Sequence, residues 1–152
     1  MSRHSTYILS SGIVYVMKMY VTSTFTGTDE NKDEIEALCQ AVSDAGFEDF
    51  SFIRDVEKYG VVFETQQEVW SSAWEELKAC DALLVDVTVD PTGGRVVECG
   101  MAFAWCKPIF VIAKQGVKIR PLFGGVAERV ILYDEISDIT FQLKEYLKEN
   151  KL

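Results

Sequence analysis

The chain has 152 residues, 48% of them hydrophobic, and its 15 Lys+Arg against 24 Asp+Glu give a formal net charge of −9. A chain of this length buries roughly 68–70% of the surface exposed by its unfolded form, enough for one full core, so a single globular domain is expected and two would be cramped. The acidic balance, with a sequence pI near 4.6, argues against nucleic-acid and anionic-membrane partners, and the single histidine, His4, leaves the chain poorly equipped for Ser-His-Asp, Cys-His or His-metal chemistry; carboxylates are the expected catalysts.

Residues 7–16 (YILSSGIVYV) are apolar but interrupted by Ser10, Ser11 and Gly12. They are too short to span a bilayer and carry no cleavage pattern, so residues 1–16 read as an N-terminal extension, with Met17 an alternative start. Residues 17–23 form a β-rich run that ends in hydroxyl residues and leads to Gly27, the pattern of a strand opening into a ligand-facing loop. From Asp33 the pattern turns helical, with Ile35, Leu38 and Val42 at helical spacing and Gly46 as the stop. A second strand is predicted over 47–53 and a polar loop over 54–64. Thr65 with Glu68 three residues later then signals a capping box, opening a helix to about Ala79 whose core face is Val69, Ala73 and Leu77, or Trp70 and Trp74.

Residues 82–87 (ALLVDV) read as a central parallel strand covered on both faces. A loop over 88–94 precedes a helix from Arg95 to Trp105, broken by Lys107-Pro108, and 109–113 is another buried-type strand. After a Gly/Pro-punctuated stretch over 116–125, a fifth strand is predicted at 129–133. Asp138 then caps a terminal amphipathic helix using Ile139, Leu143 and Leu147. Cys39, Cys80, Cys99 and Cys106 form no C-x-x-C pair and have no nearby histidine, so they read as reduced core thiols of a cytoplasmic protein.

Strands alternating with helices predict an α/β domain with a doubly wound five-stranded parallel sheet of flavodoxin- or Rossmann-like type, order 2-1-3-4-5. Ligands bind such sheets at the strands' carboxyl ends where the order reverses, which sets the loops 23–30 and 88–98 face to face. The richest segment is 86–104. Pro91-Thr92-Gly93-Gly94 turns a strand into a helix whose N-terminus favours an anion, and Glu98 lies four residues past Gly94, able to point into the same cleft. On composition alone, Glu98 is better explained as a carboxylate complementing the helix dipole.

Lys18-Met19-Tyr20-Val21, Cys80-Asp81-Ala82, Pro91-Thr92-Gly93-Gly94, Glu98-Cys99-Gly100-Met101-Ala102 and Lys107-Pro108-Ile109 together resemble the nucleoside 2-deoxyribosyltransferase superfamily, and within it the 2′-deoxynucleoside 5′-phosphate N-hydrolases. The resemblance covers residues 17–149. It implies cleavage of an N-glycosidic bond in which Glu98 attacks the anomeric carbon and forms a covalent deoxyribosyl intermediate, without metal or organic cofactor. Thr24 and Thr92 match hydroxyl positions that handle phosphate, while Thr26 stands where those members carry an Arg. Arg120 is the candidate to compensate, with Arg95 a second. Tyr20, Ser23, Asp90, Gly93 and Gly94 complete the candidate substrate-binding set. The family's second carboxylate, on the helix before the central strand, is replaced by Ala73; Glu64, Glu68 and Asp90 are the nearby carboxylates, none at the matching spacing.

Trp70 or Trp74 is available to stack on a base, although a helix-face Trp is more often core or interface. The expected partners are a nucleoside or nucleotide and, from the resemblance, further copies of the chain in a homodimer or higher homo-oligomer. The competing reading is a nucleotide-binding or regulatory module of the same fold with impaired turnover, motivated by Ala73.

Overall fold

The computed structural model describes residues 5–9, 12–91 and 93–152. His4 and Thr92, both singled out above, lie outside the described residues. Strands β1 (Ser5–Leu9) and β2 (Gly12–Val16) pair antiparallel as a separate two-stranded sheet. The main sheet consists of β3 (Lys18–Thr22), β4 (Glu48–Phe50), β5 (Ala82–Asp86), β6 (Ile109–Lys114) and β7 (Arg129–Tyr133), all parallel in the order β4-β3-β5-β6-β7. For these five strands that is the predicted 2-1-3-4-5 order. Among the described residues no helix is long and apolar enough to cross a membrane.

Alternation along the strands divides the core in two. Met19 and Val21 of β3 and Ala82 and Leu84 of β5 pack under α1 (Asp29–Ala45) and α6 (Ile136–Glu149). Tyr20, Leu83 and Val85 point to the other face, under α3 (Gln66–Ala79) and α4 (Gly94–Ala104). Both faces are covered, which is why β5 and β6 read as continuous apolar runs. The same parity places Tyr20 beside the inward stripe of α4, formed by Arg95, Glu98, Cys99 and Ala102.

Several boundaries differ from expectation for local reasons. α1 begins at Asp29 rather than Asp33, because the Thr28 side chain caps it by accepting from the Asn31 N–H. β4 stops at Phe50 instead of reaching Ile53. The Ser51 N–H donates to Asp55 Oδ2 at 2.9 Å, turning the chain into a short helix, α2 (Phe52–Asp55), whose Arg54 bonds Asp49 and Asp55. Pro121 at a first helical position opens another short helix, α5 (Pro121–Val126), within the Gly/Pro-punctuated stretch.

The Thr65–Glu68 capping box forms as predicted. At α6, by contrast, Glu135 is the cap, and Asp138 is the third residue of the helix, accepting from the Asp134 and Glu135 N–H groups. Cys39, Cys80 and Cys99 are buried free thiols, each pushed up to about 12 mainly by burial. Cys106 departs from the core-thiol expectation. It sits just past the end of α4 at φ 54°, where the chain turns outward before Lys107-Pro108, and it is exposed.

Candidate active site

Two hollows open along the carboxyl edge of the sheet. One, of about 580 Å³, lies on the α1 and α6 side between Ser23, Thr24, Asn31, Asp86, Thr88 and Tyr133. The other, of about 320 Å³, lies on the α3 and α4 side, and its walls include Thr22, Phe25, Glu57, Trp70, Ala73 and Glu98. Ser23 and Thr24 border both. The loop after β3 is held between them by Asn31, whose Oδ1 accepts from the Thr26 N–H at 2.7 Å and whose Nδ2 donates to the Thr24 carbonyl at 2.9 Å.

The smaller hollow has the more reactive lining. Glu98 is 8% exposed. Its Oε1 accepts from the Tyr20 hydroxyl at 2.8 Å, while its Oε2 is buried without a hydrogen-bond partner. A buried carboxyl oxygen left unpaired costs stability, and such a group in a cleft is a functional-site signal. Burial is the largest influence on Glu98 and raises its pKa; the Thr22 and Tyr20 hydroxyls and the Arg95 guanidinium oppose that rise, and the charge of Glu57 adds to it. Tyr20 is fully buried, its ring 5.4 Å from that of Phe50, so its hydroxyl is a fixed donor aimed at Glu98. Burial and the neighbouring Glu98 keep the Tyr20 hydroxyl protonated.

The turn into α4 is built on Gly93, which caps the helix at φ 56° and ψ −119°, a conformation that only glycine adopts readily. Gly94 follows in the first turn, where N–H groups lack intrahelical partners. A Cβ on Gly94 would stand 3.7 Å from the Trp70 ring, so Trp70 packs over the start of α4 at the cleft wall. Trp74 instead meets Trp105 edge to face at 5.4 Å and is not among the cleft-lining residues. Of the two tryptophans, Trp70 is the one at the cleft.

The candidate cations are engaged within the chain. Arg95 is buried, and its Nη1 donates to the Asp86 and Val89 carbonyls at 2.6 and 3.0 Å, pinning the loop after β5. Arg120 places Nε 2.8 Å from Asp90 Oδ1, and its Nη2 donates to the Pro91 carbonyl at 2.6 Å. Asp90 and Arg120 thus form a tie between α5 and the loop before α4. Ser23 donates to Asp86 Oδ2 at 3.2 Å.

Glu68 is committed to its capping box, and neither it nor Glu64 is among the cleft-lining residues. The carboxylate that does share the hollow with Glu98 is Glu57, in the stretch read only as a polar loop. Phe25 and Phe52 were likewise not singled out. No periodicity marks these residues, because only closure of the sheet brings the turn after α2 over α4.

No family model and no curated protein matches the chain. Solved structures do. The CMP N-glycosidase BcmB of Clostridium botulinum superposes with a TM-score of 0.64 at 19% identity, covering 86% of this chain and 99% of that one. A 2-deoxyribosyltransferase from Bacillus psychrosaccharolyticus gives 0.66 at 20% identity over 81% and 90% of the two chains. BlsM gives 0.68 at 18% identity over 90% and 95%. The chain therefore has the fold of the nucleoside 2-deoxyribosyltransferases and N-glycosidases.

Proposed function

We propose that the protein cleaves or transfers the N-glycosidic bond of a (2-deoxy)nucleoside or its 5′-monophosphate, with Glu98 as nucleophile. The observation that carries this reading is the Glu98 carboxyl itself, buried in the cleft with one oxygen held by Tyr20 and the other unpartnered. Glu98 Oε2 attacks the anomeric carbon as the bond to the base breaks, forming a glycosyl ester. Water, or a second base, then attacks the same carbon and releases the glutamate, in the manner of a retaining glycosidase. The route draws on no metal or organic cofactor.

Phe25, Phe52 and Trp70 supply apolar walls on which a base can lie. Ser23, Thr24 and Gly94 line the same hollow, and with the Gly93 backbone they are assigned to the sugar. A cytoplasmic location agrees with the three buried thiols. The exposed Val97 and Phe103 flank Gly100 on α4 and support a homodimer or higher homo-oligomer.

Ala73 favours a second reading. It is buried and lines the cleft, so α3 brings no carboxylate to that wall, and a nucleotide-binding module without turnover has the same shape. Incubation with a panel of deoxynucleosides and 5′-monophosphates, with and without an acceptor base, separates the two. Free base released by the wild type and lost in Glu98→Ala is expected; binding by calorimetry with no base after long incubation selects the module.

A further inference from the structure

We infer that Glu57 is the acid that protonates the departing base, taking the place of the carboxylate that α3 lacks at Ala73. The inference rests on the glycosidic reading above. Glu57 and Glu98 line one hollow of about 320 Å³ with Trp70 and Phe25, so a base stacked there lies within the space both carboxyls share.

Their surroundings differ in hydrogen bonding. Burial raises the Glu98 pKa, while the Tyr20 hydroxyl on Oε1, with Thr22 and Arg95, opposes that rise in favour of the anion. Glu57 makes no side-chain hydrogen bond or ion pair among the described residues, and burial alone raises its pKa. Hydrogen bonds to the charged form of a carboxyl favour it, and Glu57, unlike Glu98, receives none among the described residues. Glu57 is also held in place. The two residues after it, Lys58 and Tyr59, both adopt left-handed backbone at φ 53° and 59°, a strained pair in non-glycine residues. That turn is fastened by the Tyr59 N–H to the Ile53 carbonyl at 2.9 Å, by the Tyr59 hydroxyl to Glu36 at 2.6 Å, and by the Tyr59 ring 5.7 Å from Phe25.

The step balances without an added reagent. As Glu98 Oε2 forms its bond to the anomeric carbon, the electrons of the C–N bond pass to the base, and the Glu57 proton passes to a base nitrogen or oxygen, so the base leaves neutral. In the second half the Glu57 carboxylate takes a proton from the attacking water or incoming base, and the ester electrons return to Glu98.

The test compares Glu57→Gln with the wild type on two kinds of substrate: the best natural deoxynucleoside, and a 2-deoxyriboside bearing a nitrophenolate leaving group that departs without protonation. Glu57→Gln is expected to lose about 10²- to 10⁴-fold in kcat on the nucleoside while keeping nitrophenolate release within about tenfold of wild type, the selective loss expected of a missing leaving-group acid. Equal loss on both substrates, matched by a fall in melting temperature, would show that Glu57 only supports the turn and would overturn the inference. Unchanged nucleoside cleavage overturns it as well. A wild type that releases neither base nor nitrophenolate overturns the glycosidic reading and this inference together.

Discussion

Tyr20→Phe isolates the contact on which the proposed nucleophile, Glu98, depends. The substitution keeps the ring packed 5.4 Å from Phe50 and removes only the hydroxyl that donates to Glu98 Oε1 at 2.8 Å. A buried hydrogen bond to a charged acceptor is worth about 1.5–3 kcal/mol, or about ten- to a hundredfold in the ionisation equilibrium of the carboxyl. Burial already raises the Glu98 pKa, and loss of the donor raises it further. On the proposed mechanism base release needs the anion, so the acidic limb of the pH profile of kcat/KM, which reports ionisation of the free enzyme, moves to higher pH. At a fixed pH on that limb the variant is slower by about ten- to a hundredfold, and its rate converges on the wild type as pH rises. The assay is chromatographic measurement of free base across pH. Superimposable profiles would refute the reasoning, because they would mean that the hydroxyl does not bear on the group that titrates.

Four further outcomes follow from particular residues. Glu98→Gln removes a buried carboxyl whose pKa is raised in the fold. Such a group binds more protons folded than unfolded, so wild-type stability declines as pH rises through the interval between its unfolded and folded values. The variant is therefore expected to melt above the wild type at neutral pH by about 2–12 °C, from about 1–3 kcal/mol for the buried charge that Gln lacks, with the gap closing in acid; a lower melting temperature at every pH contradicts this. Gly93→Ala meets no atom within 4 Å but must adopt φ 56°, so it is expected to cost about 1–3 kcal/mol in backbone strain, read as a lowered thermal midpoint; an unchanged midpoint would count against the strained cap. Arg120→Ala is expected to slow nucleoside and 5′-monophosphate cleavage equally, because its Nε and Nη2 already serve Asp90 and Pro91; a loss confined to the monophosphate would assign Arg120 to the phosphate instead. Native maleimide labelling is expected to modify Cys106 and spare Cys39, Cys80 and Cys99; labelling of several thiols without denaturant contradicts the burial.

The fold was legible because its signals are local. The apolar runs of β5 and β6, the Thr65–Glu68 box and the terminal amphipathic helix each state their element type, and their alternation limits the topology. The departures fall where a polar side chain outweighs periodicity: Thr28 starts α1 a turn before its apolar stripe, and Asp55 bends the chain at Ser51 where the residues themselves suit a strand. At the site, Glu98 was visible from its segment and from family resemblance. Tyr20, a substrate-binding candidate from the sequence, is a fully buried core residue, and its hydroxyl acquires a partner only because strand parity and helix phase bring residues 78 positions apart to 2.8 Å. Glu57 carried no signal, since a lone carboxylate in a polar stretch looks solvated until Phe25, Phe52 and Trp70 close around it.

The most direct test of the central claim is to trap the glycosyl ester. A 2-deoxy-2-fluoro nucleoside slows departure of the sugar from the enzyme, because the fluorine destabilises the oxocarbenium-like transition state. After incubation and acid quench, peptide mass spectrometry is expected to find the fluorosugar esterified to Glu98, in stoichiometry with a first burst of base, with neither burst nor adduct in Glu98→Gln. Base released in repeated turnover with no adduct, or an adduct on another residue, would contradict Glu98 as the nucleophile.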